Sequence, residues 1–266
     1  ITVPRIRGVI DSGHVRISRY SARSRVQRLP VEQVSQASAT QRAGRCGRIG
    51  PGICIRLYSE ETWTASEPFT QPEILRSNLA GVILRMLSLG LGDIDSFPFL
   101  ERPSGRMVEE GWATLYELGA VDRTRALTEV GRSLARLPID PRIGRMLVAS
   151  FEEGCLPEML VVAAVLSTQD PRLRPFGGEQ AADFAHAPWR DEKSDYVGFL
   201  QIWNDYVDHL AEHGSSATRR WCHDRYLSWV RVREWADTWR QLRELAREVF
   251  EVRLPEKVSR RPRDGG

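Results

Sequence analysis

The residues best suited to chemistry in this chain form one run, Gln41-Arg42-Ala43-Gly44-Arg45-Cys46-Gly47-Arg48. Arg45 and Arg48 are three apart, which on a helical turn puts them on one side. The glycines between them remove side-chain bulk and let the backbone approach a partner closely. Planar guanidinium forks match the equatorial oxygens of a transferring phosphoryl group. Gln41 is a neutral donor and acceptor that could orient a water. The same run also describes a basic helix end closed by glycine, and composition alone does not choose between the two.

Residues 15–35 hold a second concentration of charge. Val15, Ile17 and Val26 lie among Arg16, Arg19, Arg23, Arg25 and Arg28, and Ser21-Ala22-Arg23-Ser24 supplies a tip. This predicts a β-hairpin with a basic face. Its arginines could meet phosphates and Tyr20 could stack on a base. A solvated edge hairpin protected by charge has the same pattern. Farther on, Arg219, Arg220 and Arg225, then Arg231, Arg233 and Arg240, could track a nucleic-acid backbone, while Trp203, Trp221, Trp229, Trp235 and Trp239 read as helical core. His209-Leu210-Ala211-Glu212-His213 matches an inverted zinc-peptidase pattern. It runs into Gly214 at what reads as a fraying helix end and has no third ligand, so no metal site is expected. Cys46, Cys54, Cys155 and Cys222 have no paired spacing, which fits a reducing compartment and no zinc site.

Lys193 and Lys257 are the only lysines, so 36 of the 38 basic residues are arginine. Codon bias in a GC-rich genome gives the same skew. A P-loop requires Gly-Lys-Ser/Thr, yet Lys193 follows Glu192 and Lys257 follows Glu256. A complete P-loop ATPase is therefore not expected in this chain. Its 266 residues suit about two average domains. With 41% hydrophobic and 27% charged residues, the composition is that of an ordinary soluble protein, and the net charge of +3 says little. The longest apolar run, 159–166, is far short of the ~20 residues that span a bilayer, and no secretory signal opens the chain. A cytoplasmic location follows as an expectation.

These candidates need elements to hold them. Residues 1–3 read as a strand, 8–13 as a short buried strand, 38–48 as a short helix with a glycine-broken end, and 52–58 as another strand. Residues 59–72 read as a linker. From Pro72 a stripe of Ile74, Leu75, Leu79, Val82, Ile83, Met86 and Leu87 predicts a helix. A helix over 107–118, strands at 119–122 and 125–128, and a helix over 129–137 capped by Thr128 follow. Helix, helix, hairpin, helix is compatible with a winged helix. Helical patterns then cover 142–153, 156–167, 195–212, 216–227 and 229–250. The basic tail from Pro255 is expected to be disordered.

The run at 41–48 resembles motif VI of superfamily 2 helicases, Q-R-x-G-R-x-G-R, with Gln41 and Arg42 pointing to the DExH side. Ile1-Thr2-Val3-Pro4 and Gly8-Val9-Ile10-Asp11-Ser12-Gly13 resemble the end of motif V in the DEAH/RHA RNA helicases. Pro72-Glu73-Ile74-Leu75-Arg76-Ser77-Asn78-Leu79 and Leu87-Ser88-Leu89-Gly90 are similar to the start of that family's winged helix. Leu127-Thr128-Glu129-Val130-Gly131-Arg132 and Leu137-Pro138-Ile139-Asp140-Pro141 are similar to its end. Cys46-Gly47-Arg48, the stretch 52–60 and Val230-Arg231-Val232-Arg233-Glu234-Trp235 look like the bacterial HrpA-type branch. The resemblance covers residues 1–250.

The resemblance implies a mixed α/β and α architecture. Residues 1–72 would be the C-terminal part of a second RecA-like domain, 73–140 a winged helix, 141–252 a ratchet-like helical bundle and 253–266 a tail. Arg45 and Arg48 would be arginine fingers on the γ-phosphate of ATP. Gln41 would position the attacking water or touch that phosphate, and Gly44 would line the same site. A finger is worth about 10³–10⁵ in rate, and the lower end is expected where two share the task. Thr2, Arg16, Arg19, Tyr20, Arg23, Arg25 and Arg28 would face nucleic acid. ATP and Mg²⁺ would be bound mainly by a first RecA-like domain. The P-loop and D-E-A-H box are absent, Asp191-Glu192-Lys193-Ser194 not being one. The chain therefore looks like a C-terminal piece of a monomeric motor that acts on single-stranded or partly duplex RNA, with DNA a further candidate. It is not expected to hydrolyse ATP alone. Glu109, Glu110 and Glu117 on the second winged-helix helix would repel phosphates, so a structural role is expected there. Two rivals remain: a non-enzymatic winged-helix nucleic-acid-binding module, and a scaffold that keeps the helicase frame without hydrolysis.

Overall fold

Residues 5–21 and 26–255 are described by a computed structural model, which divides into two compact units. One holds the chain up to residue 83 with residues 92–113; the other holds residues 84–91 and the chain from 114 onward.

In the first unit, β1 (Gly8–Asp11) pairs in parallel with β6 (Ile53–Arg56), Gly8 opposite Ile53 and Asp11 opposite Arg56. Parallel partners need a long crossover. Here that crossover is the hairpin and α1 (Gln36–Ala43). The hairpin is present as two short antiparallel ladders, β2 (His14–Arg16) with β5 (Val31–Gln33) and β3 (Arg19–Ser21) with β4 (Val26–Arg28). A break at Ile17 and Ser18 separates them. The strand at 8–13 is not the buried one expected. Two strands cover one face only, so Asp11 is buried while Ile10 and Ile53 are 72% and 71% exposed.

The stretch 59–72 is not a free linker. It holds α2 (Glu60–Ala65), capped by Ser59, with the Arg56 guanidinium 3.8 Å from the Trp63 ring. It also closes the N-terminus of α1: Gln36 and Ala37 donate their amides to the carbonyls of Glu67 and Pro68 at 2.9 and 3.0 Å. Ser35 Oγ accepts the Ser38 amide. Orphan amides of the first turn are thereby satisfied within the chain.

The helix expected from Pro72 starts later. A single 3₁₀ turn spans Glu73–Leu75, and α3 (Ala80–Leu89) begins after Asn78, whose Oδ1 accepts the Ala80 amide at 2.7 Å. The apolar stripe is real, but the backbone of Arg76 is committed to the hairpin. α4 (Gly105–Glu117) follows.

In the second unit, Val121 bridges Leu127 and the Thr128 hydroxyl caps α5 (Glu129–Ala135). α6 (Pro141–Glu152), α7 (Leu156–Leu166), α8 (Glu179–His186), α9 (Asp195–Asp224) and α10 (Trp229–Phe250) complete it. α7 is buried along most of its length and packs with α6, α9 and α10. Trp235 is fully buried and donates its indole N–H to the Val161 carbonyl at 2.9 Å. Trp203 and Trp221 are buried too, and Trp229 and Trp239 pack against the same cluster. The tryptophans are core, as their spacing indicated. The two helices expected at 195–212 and 216–227 form α9, broken at Gly214 (φ 73°, ψ 176°). Among the described residues, no helix is long and apolar enough to cross a membrane.

Candidate functional site

The site is anchored by a carboxylate in the fold's first strand. Asp11, 2% exposed at the end of β1, accepts Arg42 Nη1 at 2.7 Å, the Tyr58 hydroxyl at 3.1 Å and the Gly13 amide at 3.1 Å. Burial alone would raise the Asp11 pKa. The hydrogen bonds from Gly13, Arg42 and Tyr58 outweigh it and hold the carboxyl below its ordinary value. Burial, together with the Asp11 carboxylate, pushes the Tyr58 phenol up. Arg42 Nη2 also donates to the His14 carbonyl at 3.0 Å. One guanidinium thus ties the last turn of α1 to both β1 and the base of the hairpin. Gly13 takes φ +77°, and a Cβ there would lie 2.6 Å from the Tyr58 ring. The sequence reading gave Arg42, Asp11 and Tyr58 no role in this site.

From that anchor the chain turns through residues 44–50. Arg45 and Arg48 are not on a helix: α1 ends at Ala43, and the expected helix over 38–48 is cut short. Gly44 keeps right-handed angles (φ −60°, ψ −13°), and the amides of Arg45 and Cys46 turn back onto the carbonyls of Arg42 and Ala43 at 3.0 and 3.2 Å. Cys46 is buried and its thiol meets the Ala43 carbonyl at 3.0 Å. A Cβ on Gly52 would lie 2.2 Å from the Cys46 carbonyl oxygen, so glycine is needed where the loop closes. Gln41 and Arg48 are exposed and Arg45 is half-buried. Gly44 and Gly47 differ from Gly13 and Gly52. Neither has positive φ, nothing lies within 4 Å of a Cβ at Gly47, and only ordinary contacts meet one at Gly44. The fold itself does not require glycine beside Arg45 and Arg48.

On the hairpin, Arg16 is exposed and Tyr20 half-buried. Arg19 is committed elsewhere. Its fork grips Glu32 through two bonds, the Nη2–Oε2 one at 2.8 Å, and its Nη1 donates to Gln71 Oε1 at 2.8 Å. The Arg19 guanidinium holds the Glu32 carboxyl below its ordinary value. Thr2, Arg23 and Arg25 lie outside the described residues, as does the Arg28 side chain.

In the bundle, most arginines are also engaged. Arg225 lies 4.8 Å from the Trp221 ring, Arg233 lies 6.0 Å from the Trp229 ring, Arg231 donates to the Asp170 carbonyl, and Arg240 pairs with Asp237. Arg219 lines an open groove of about 860 Å³ with Tyr226 and Trp229. His209 bonds Thr218 Oγ1 at 3.1 Å and packs on Trp221. Among the described residues no group of three or more His, Cys, Asp or Glu could hold a metal.

Comparison with known proteins bears on these arrangements. Residues 112–139 match the winged-helix model of the helicase associated domain (HA2), and residues 140–224 match its ratchet-like model. The chain is 49% identical over 254 residues to the ATP-dependent RNA helicase HrpA of Escherichia coli, covering 94% of this chain and 20% of that protein. It is 48% identical to the HrpA homologue of Haemophilus influenzae, again over 94% of this chain and 20% of the relative. The probable ATP-dependent RNA helicase DHX34 of Mus musculus is 38% identical over 92% of this chain and 21% of its own length. The chain therefore spans about a fifth of the length of these relatives. Over that shared stretch the chain matches HrpA-type RNA helicases at 48–49% identity, and its residues 112–224 carry the winged-helix and ratchet-like parts of the helicase associated domain (HA2).

Proposed function

We propose that this chain is the part of an ATP-dependent RNA helicase that supplies two phosphate-directed arginines and a nucleic-acid-facing hairpin. In this reading residues 1–72 complete a RecA-like domain, 73–140 form the winged helix and 141–252 the ratchet-like bundle. The observation that carries it is the loop at 44–50. Arg45 and Arg48 lie on a loop pinned at both ends, by the Asp11–Arg42–Tyr58 cluster and by the Gly52–Cys46 approach. The fold has room for a side chain at the flanking Gly44 and Gly47, so glycine there suits a partner that must come close. Two cationic forks on a rigid mount are preorganised for charge that builds on a transferring phosphoryl group. Gln41, exposed on the last turn of α1, would orient the attacking water beside them.

The donor set here fits phosphate oxygens and not a metal. Mg²⁺ and most of the ATP contacts fall to residues outside this chain. Arg16, Tyr20 and the hairpin arginines beyond it would face RNA, and Arg19 would stiffen the hairpin from within. The winged helix and bundle would complete the RNA path.

The test is unwinding by the full-length protein on an RNA duplex with a single-stranded tail. The account expects strand release with ATP and none with a non-hydrolysable analogue. Tight duplex binding that ignores nucleotide would favour a winged-helix binding module instead.

A further inference from the structure

The hairpin is built from two three-residue ladders, each too short to hold an orientation alone. At the break between them, Ser18 finds its partner outside the sheet. Arg76, just after the 3₁₀ turn, donates Nη1 to the Ser18 carbonyl at 2.9 Å and Nε to the Gln71 carbonyl at 3.1 Å. Its own carbonyl accepts the Tyr20 amide, in β3, at 2.7 Å. Gln71 in turn accepts Arg19 through its side chain at 2.8 Å, and Arg19 holds Glu32 across the hairpin. Two arginines, one from the hairpin and one from the chain leading into α3, therefore interlock through Gln71. At the break one longer bond, from the Ile17 amide to the Pro30 carbonyl at 3.3 Å, still crosses the hairpin, while Ser18 and the Tyr20 amide are held by Arg76.

We propose that Arg76 is the positioning residue of the hairpin: it sets the angle of the distal ladder, and with it the pose of Tyr20 toward the nucleic-acid strand. This rests on the helicase reading for its consequence, although not for its geometry. In that reading ATP turnover needs the arginine loop and not the brace, whereas coupling turnover to the nucleic-acid strand needs a hairpin that does not yield against it. A guanidinium is required because one planar group must serve two carbonyls at once, which a lysine ammonium on a flexible stem does poorly.

The experiment uses the full-length protein, wild type beside Arg76→Ala and Arg76→Lys, with two readouts. Hydrogen exchange at the Tyr20 amide reports the brace itself. It should quicken about tenfold or more in Arg76→Ala and by less in Arg76→Lys, as befits the loss of charge-assisted bonds. Unwinding per ATP hydrolysed reports the consequence. It should fall about tenfold in Arg76→Ala with RNA-stimulated turnover kept within about twofold. Unchanged Tyr20 exchange in both variants overturns the brace. Faster exchange with unwinding and hydrolysis falling in parallel overturns the positioning role. If Arg76→Ala does not fold, Arg76→Lys decides the matter by the same two criteria. A wild-type protein that shows no RNA-stimulated hydrolysis would strike the helicase reading, while the exchange result would still stand for the brace.

Discussion

Arg42 lies beside the chemistry and does different work from its neighbours. Its fork is spent on Asp11 and the His14 carbonyl, so its work is to hold the fold. Removing it strands a buried carboxylate, so Arg42→Ala should lose about 2–3 kcal/mol, somewhat below the cost of breaking a fully buried pair because Arg42 is partly exposed. Urea unfolding near neutral pH measures this. The pH dependence has a definite sign. Asp11 has a folded pKa below its ordinary value of 3.8, so the stabilisation is complete above that value and is lost as the pH falls through the lower folded one. The gap between wild type and Arg42→Ala should therefore narrow below pH 3.8. A gap that stays constant into acid would place the stabilisation elsewhere.

Among the elements, the 44–52 loop separates fold from function through its glycines. Gly52→Ala forces a Cβ to within 2.2 Å of a backbone oxygen and should cost about 3 kcal/mol or prevent folding. Gly47→Ala meets open space and should leave the unfolding midpoint unchanged within about 0.5 kcal/mol, while lowering RNA-stimulated ATP turnover at least tenfold if a ligand approaches that face. Equal turnover in Gly47→Ala and wild type would remove the argument from its open surroundings. The same elements show what a sequence discloses. α10 was legible over 229–250 because a serine cap precedes a continuous apolar stripe. α8 was not, since of its residues only Ala182 is buried and Phe184 points outward, 84% exposed. The apolar stripe predicts α3 from Pro72, but the Arg76 carbonyl is taken by the Tyr20 amide and the helix starts only after Asn78. At the candidate site, the run 41–48 stands out by its residue types and spacing alone. Its anchor was hidden, because Asp11, Arg42 and Tyr58 sit 31 and 47 residues apart and meet only through a parallel strand pair. Local periodicity carries no information on such pairing.

Taken as a whole, the molecule joins a small α/β unit with the arginine loop and hairpin to a helical unit whose tryptophans are spent on core packing. With only two lysines among its 38 basic residues, the chain offers phosphate almost solely guanidinium groups. The central claim is that Arg48 acts on a phosphoryl group in transfer and does not merely decorate a loop. The most direct measurement is RNA-stimulated ATP hydrolysis by the full-length protein, wild type beside Arg48→Ala, with nucleotide affinity measured in parallel. The account predicts a drop in turnover toward about 10³-fold, with ATP affinity changed far less, because the interaction strengthens in the transition state. Turnover left intact by Arg48→Ala would contradict it.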